Sequence, residues 1–271
     1  MAGTHNGEPP PIERLRVRSR AARYRAAGTS TFFEAPNGRC LHGIAGLLLM
    51  ATAGAAPAQG WGGSLGYATD NVYRGVSLSS GRPAWLADLH YGIGTDWTVG
   101  LGASQERPPF QDAGAQFTLY LDRRWRLDED WSAKLGVVHY ESPWNVWRDE
   151  LNYNELTAAI GWRGRWRASL ALSPDTPGVF TYLGAPTGFA AAVELSYRQP
   201  LAGRLAADVG LGYARLHAAE LDYAYGNVGL SYGVGDIYLY TSLLWATPDA
   251  TQYNTGSAER RRWVTSLVWN F

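Results

Sequence analysis

Downstream of residue 58 the chain carries three histidines, His90, His139 and His217, and neither cysteine nor methionine. Transition-metal sites draw His and Cys ligands into short spacings, and none of these histidines stands at such a spacing from another. His139 has Ser142 close by in sequence, a pairing that could supply base and nucleophile to a lipid hydrolase, but a histidine at the rim of a strand is the preferred reading. Gly210-Leu211-Gly212 lacks the strand-loop-helix setting of a phosphate cradle and reads as small residues that let a sheet curve. Cys40 is the single cysteine, so an internal disulfide, a thiolate metal site and a cysteine nucleophile are excluded. No cofactor or metal is called for. What remains is a set of charges of both signs, Asp70, Arg74, Asp88, Asp122, Lys134, Arg167, Glu194, Arg198, Asp208 and Arg262, spread along segments of alternating polarity. They can act together only if strands turn them all to one face.

The composition favours strands. Across 271 residues there are 12 Trp, 16 Tyr, 7 Phe and 32 Gly, with only 18% charged residues. Mean hydropathy of −0.23 is too low for a bundle of membrane helices. Basic and acidic residues number 24 each, so no bulk charge attracts nucleic acid, and none is expected as a partner.

Residues 1–58 read as a leader. The run Leu41-His42-Gly43-Ile44-Ala45-Gly46-Leu47-Leu48-Leu49-Met50-Ala51 follows Arg39 and leads into a small-residue stretch ending Ala56-Pro57-Ala58, the layout of a secretory signal cleaved before Gln59. The run is about half of the roughly 20 apolar residues a membrane-spanning helix needs. Asn37, Gly38 and Arg39 before Cys40 do not form a lipoprotein site. Residues 1–38, with six arginines between Arg14 and Arg25, are an upstream start or a long charged region and are set aside from the fold. The mature part, 59–271, then holds 17 basic and 21 acidic residues, a net charge of −4.

Period-2 alternation runs through the mature part. Trp85, Ala87, Leu89, Tyr91 and Ile93 alternate with Leu86, Asp88, His90 and Gly92; Phe189, Ala191, Val193, Leu195 and Tyr197 alternate with Ala190, Ala192, Glu194, Ser196 and Arg198. Segments of this kind, the first over 61–75 and the last over 263–271, predict twelve strands joined by connections that alternate between short and mostly longer. All nine mature prolines fall in or beside the connections, as continuous ladders require. A soluble sandwich would keep its bulk at mid-strand, yet Tyr67, Trp85, Trp97, Trp166, Phe189, Tyr213, Trp263 and Phe271 sit on apolar-parity positions near strand ends, with Ala, Leu and Val between. Those are interfacial girdles. The expected fold is therefore all-β: a transmembrane antiparallel up-and-down barrel of about twelve strands, with short periplasmic turns and longer extracellular loops, in the outer-membrane lipid. The terminal strand ends Trp269-Asn270-Phe271 and looks like the signal that the barrel-assembly machinery reads.

Two stretches go beyond pattern: Ala68-Thr69-Asp70-Asn71-Val72-Tyr73-Arg74-Gly75-Val76-Ser77, and His139-Tyr140-Glu141-Ser142-Pro143 followed by Leu151-Asn152-Tyr153-Asn154-Glu155-Leu156. They resemble the TorF family of proteobacterial outer-membrane porins, whose first strand carries an aromatic-Arg-Gly-aliphatic-Ser motif that Tyr73-Arg74-Gly75-Val76-Ser77 fits. The resemblance continues through Leu172-Ser173-Pro174-Asp175 and Tyr182-Leu183 to Phe271, and departs at Leu89-His90-Tyr91 and in the load of Trp and Arg. It implies a porin and says little about a substrate.

On the polar parity, the ten charges above are the candidate lining of a pore, with Gly100, Gly102, Gly136, Gly210 and Gly212 among them. If these glycines leave space, the barrel passes small hydrophilic solutes by diffusion, not as an enzyme. If the charges instead pair across a filled interior, it is a structural or surface-binding barrel. Two tests follow from the sequence. N-terminal sequencing of protein from outer-membrane fractions is expected to begin at Gln59; recovery of residues 1–40 would contradict the cleavage. Deleting Phe271 is expected to cut the level of heat-modifiable barrel in the membrane severely, and a normal level would remove its role in assembly.

Overall fold

The computed structural model describes residues 60–107, 114–143, 152–176, 187–252 and 261–271. The leader, Gln59, and Leu151, Tyr182 and Leu183 of the resemblance lie outside these. Twelve strands form the wall: β1 (Gly60–Ala68), β4 (Ala84–Ile93), β5 (Trp97–Glu106), β6 (Gly114–Arg126), β7 (Trp131–Glu141), β8 (Tyr153–Trp162), β9 (Trp166–Thr176), β10 (Gly188–Pro200), β11 (Leu205–Leu216), β12 (Leu221–Val234), β13 (Ile237–Ala246) and β14 (Arg261–Asn270). Two short strands, β2 (Val72–Tyr73) and β3 (Val76–Ser77), form a separate hairpin. Each wall strand pairs antiparallel with its neighbours in the chain, and β14 pairs back with β1 to close the barrel.

Closure is made by main chain at the very end of the sequence. Gly63 N–H donates to Phe271 O and Phe271 N–H to Gly63 O, both at 3.0 Å, and the register runs on from Ser64 opposite Asn270 to Ala68 opposite Ser266. The β4–β5, β6–β7, β8–β9, β10–β11 and β12–β13 turns are short and share one end of the barrel with the N-terminus of β1 and with Phe271. The mostly longer connections gather at the other end, as the sequence spacing leads one to expect.

The alternation divides two environments. Leu65, Leu89, Leu101, Val193, Leu211, Val228 and Leu267 are exposed on the outer surface. Trp61, Trp97, Trp131, Trp166, Trp269 and Phe271 flank them at the short-turn end, and Tyr67, Trp85, Phe189, Tyr213 and Trp263 at the long-loop end. An apolar band exposed between two aromatic rings is stable against hydrocarbon and not against water. Wall strands of 9 to 14 residues span it. Residues of the opposite parity, such as Ser64, Ser104, Gln116, Thr118, Ser196 and Ser266, are buried inside.

The two faces make a direct test. Leu119 on β6 is 55% exposed and its neighbour Thr118 is 6% exposed. Leu119→Arg is expected to cost about 2–4 kcal/mol if that site lies near the bilayer midplane, and Thr118→Ser little. Unfolding titrations in lipid vesicles read both, and equal losses would contradict the assignment of faces.

Candidate site in the barrel lumen

The wall ends its first strand at Ala68, earlier than the predicted 61–75, because the next residues turn inward instead of continuing along the ladder. Arg74 therefore does not lie on the polar face of that strand. It occupies the turn of the β2–β3 hairpin, where Arg74 and Gly75 both have positive φ, 44° and 78°. Two left-handed residues in a two-residue turn match the twist of a tight hairpin. Gly75 is required twice over, since a Cβ there would stand 2.8 Å from Tyr225 Cβ and 2.9 Å from Ala246 Cβ.

The hairpin base is tied on both sides. The Asp70 carboxylate accepts from Ser77 Oγ at 2.6 Å, Ser79 Oγ at 2.8 Å and Arg262 Nη1 of β14 at 2.5 Å. Asn71 Nδ2 donates to Gln105 O at 3.1 Å and Arg107 N to Leu78 O at 2.8 Å, binding the base to β5 and the residue that follows it. The tip then crosses the interior. Val76 packs in a cluster with Ala190, Ala192, Ala214, Tyr223, Tyr225 and Ala246 from β10 to β13, and Arg74 donates to Glu155 of β8 at 2.9 Å with both side chains almost fully buried.

The other predicted charges all turn inward, and most meet a partner there. Asp88 accepts from Tyr120 Oη at 2.8 Å and contacts His90 Nδ1 at 2.6 Å. Lys134 Nζ lies 2.5 Å from Asp122. Arg198 lies 3.4 Å from Asp208, and Ser231 Oγ bridges them, accepting from Arg198 and donating to Asp208. Glu194 accepts from Tyr225 Oη at 2.6 Å and from Ser169 Oγ at 3.4 Å. Asp70 and Arg74 each meet a different charge, Arg262 and Glu155. Desolvated charges are tolerated because they are paired and hydrogen-bonded. Arg74, Lys134 and Arg167 face a cleft on the β8–β10 wall, lined also by Thr157, Ser169, Ala171, Ala192 and Glu194, with room for about one water.

Sequence reasoning missed Glu155, although Tyr153, Glu155, Thr157 and Ala159 alternate with Asn154, Leu156, Ala158 and Ile160 and could have shown it. It also left out tyrosines that fill the lumen. Tyr140 and Tyr153 stack at 4.3 Å, and Tyr223 and Tyr225 lie 5.9 Å apart. Strand parity and the polar hydroxyl suit them to the interior.

The inward glycines correct a further expectation. Gly100 pairs across the ladder with Tyr120, Gly212 with Tyr225, Gly136 with Asp122 and Gly210 with Asn227. A Cβ at any of the four would overlap the partner's side chain. These glycines seat the neighbouring side chain, so they are not evidence of open space. The His139–Ser142 pairing is not assembled either. Three residues along a strand separate the two faces: Ser142 is buried and donates to Glu106, while His139 lies against Asn154 at 3.0 Å and Glu141 at 3.3 Å. Trp269 and Phe271 are exposed on the outer surface at the short-turn end, their rings 5.1 Å apart.

The glycine seats predict strong coupling. Gly100→Ala is expected to cost about 1–3 kcal/mol through overpacking against Tyr120, and much less in a Tyr120→Ala background. A double-mutant cycle of thermal unfolding measures this, and additive losses would contradict it.

No family model and no curated protein matches the chain. Among solved structures it is similar to the KdgM porin, with 11% identity, 78% of this chain and 99% of that one covered, and a TM-score of 0.47. It is similar also to the COG4313 outer membrane channel from Pseudomonas putida F1, with 12% identity, coverage of 80% and 96%, and a TM-score of 0.49. The outer membrane phospholipase dimer of Salmonella typhi, with bound calcium, matches at 13% identity, coverage of 77% and 89%, and a TM-score of 0.41.

Proposed function

We propose that the chain is an outer-membrane β-barrel of the TorF kind that passes small hydrophilic solutes through a narrow lumen. The observation that carries this reading is the division of the wall: an apolar outer band between aromatic rings, and an inner face polar enough to place Asp70, Asp88, Asp122, Lys134, Arg167, Glu194, Arg198, Asp208 and Arg262 inside a closed sheet. A structural barrel needs no such number of ionised groups, since apolar fillers of equal volume serve stability as well or better. Twelve strands lie between the roughly 8 that side chains alone can fill and the 16 to 18 of open porins, so the bore is small.

In this reading the short turns face the periplasm with both ends of the barrel, the protein is exported with its leader through the Sec route, and Trp269 and Phe271 are presented to the assembly machinery. Their exposure at that end supports this. The motif that carries the TorF resemblance, Tyr73-Arg74-Gly75-Val76-Ser77, builds a hairpin inside the lumen and not the first wall strand in which the resemblance places it.

A second reading, a barrel without conductance, is favoured by one observation: tyrosines and paired charges fill much of the interior. Planar-bilayer recording separates the two. Full-length protein is expected to give small conductance steps, well below those of open porins. A bilayer as quiet as a protein-free one at every applied voltage would leave the second reading standing.

A further inference from the structure

The hairpin is held unequally at its two ends. Its base is a network: Asp70 gathers Ser77, Ser79 and Arg262, Asn71 N donates to Ser79 Oγ at 2.8 Å, and Leu78 N donates to Asn71 O at 2.6 Å. These bonds lie mostly within the hairpin and its stem, so residues 70–79 form one body. Val72 adds an apolar foot against Leu244 and Val264.

The tip is different. Around Val76 the opposite wall offers Ala190, Ala192, Ala214 and Ala246 with Tyr223 and Tyr225, so the tip is held there by side-chain packing. Arg74 reaches across to donate to Glu155, 81 positions away in sequence. The chain that leaves the hairpin runs through Ser80 and Gly81, both at positive φ, and a Cβ on Gly81 would meet nothing within 4 Å. A stiff body joined to the wall by main-chain bonds at its base and by side chains at its tip has the form of a hinged element.

We infer that the β2–β3 hairpin is a gate across the long-loop mouth of the lumen, latched shut by the Arg74–Glu155 ion pair. The inference rests on the channel reading above. With the latch made, the tip lies on the β10–β13 wall and the passage is reduced to the cleft below it. With the latch broken, the hairpin tilts about its base toward the long-loop end and leaves the alanine-lined wall clear. Asp70 stays with Arg262, so the first strand and the barrel closure are undisturbed. Glu194, Tyr223 and Tyr225 also lie in the electrostatic surroundings of Arg74, behind Glu155.

A thiol on the hairpin reports its motion independently of conduction. In full-length protein with Cys40→Ser, Val76→Cys supplies the single thiol, at a position 2% exposed. Its reaction with a small water-soluble methanethiosulfonate is expected to be slow, and to accelerate about tenfold or more when Glu155→Gln is added, as the released state becomes populated. Bilayer recordings of Glu155→Gln without the added thiol are expected to show longer openings than wild type. A second variant, with residues 72–77 replaced by a Gly-Ser turn, leaves Glu155 and the wall intact and is expected to stay open. Heat-modifiable mobility on gels checks that each variant has folded. Unchanged thiol reactivity, with identical openings in wild type and both variants, would overturn the gate and leave the channel. Silence of every protein in the bilayer would overturn the channel reading itself, while a faster thiol in Glu155→Gln would still report release of the hairpin.

Discussion

A β-sheet in hydrocarbon can leave no edge, because each unsatisfied backbone group there costs several kcal/mol and no water is present to meet it. The reciprocal hydrogen bonds between Gly63 and Phe271, followed by the β1–β14 ladder, remove the last edge. Everything else in the molecule follows from that closure. Once the sheet is a cylinder, the pleat sends alternate residues to lipid and to lumen, and a single register error would exchange the two sets. The sequence guards against this with an apolar band on one parity and charges on the other.

Closure also creates the second physical problem, an interior too narrow to hydrate its charges as bulk water would. The solution is pairing between neighbouring strands, Lys134 with Asp122, Arg198 with Asp208 through Ser231 and Arg262 with Asp70 just beyond β1, with Arg74 carried across to Glu155 by the hairpin. Tyrosines take up the remaining width, and each of Tyr120 and Tyr225 lies over a glycine on the adjacent strand. The inward hairpin uses the same devices. It brings its own carboxylate and guanidinium into the lumen and connects them to opposite walls.

The wall was legible in the sequence because strand parity is a local property, visible at Trp85–Ile93 and Phe189–Arg198 without knowledge of any partner. The inward direction of Asp88, Asp122, Glu194 and Asp208 followed from the same parity. What could not be read was anything set by cross-strand register or by a break in the ladder. Gly100 and Gly212 looked like space because the tyrosines that cover them lie on other strands. Arg74 continued the polar parity of the first strand by coincidence, since the chain leaves the wall after Thr69 and the Arg74-Gly75 pair forms a tight turn. Glu155 was hidden in a segment whose borders were unclear, and its meaning depends on a partner 81 residues earlier.

The central claim is that a closed, polar-lined barrel of this size offers water-soluble molecules a passage, and a narrow one. Swelling of proteoliposomes in isosmotic solutes of graded size tests it most directly. The account predicts rapid entry of the smallest polar solutes, a steep fall with size and exclusion of trisaccharides. Swelling no faster than protein-free vesicles for every solute, or free entry of trisaccharides, would contradict it.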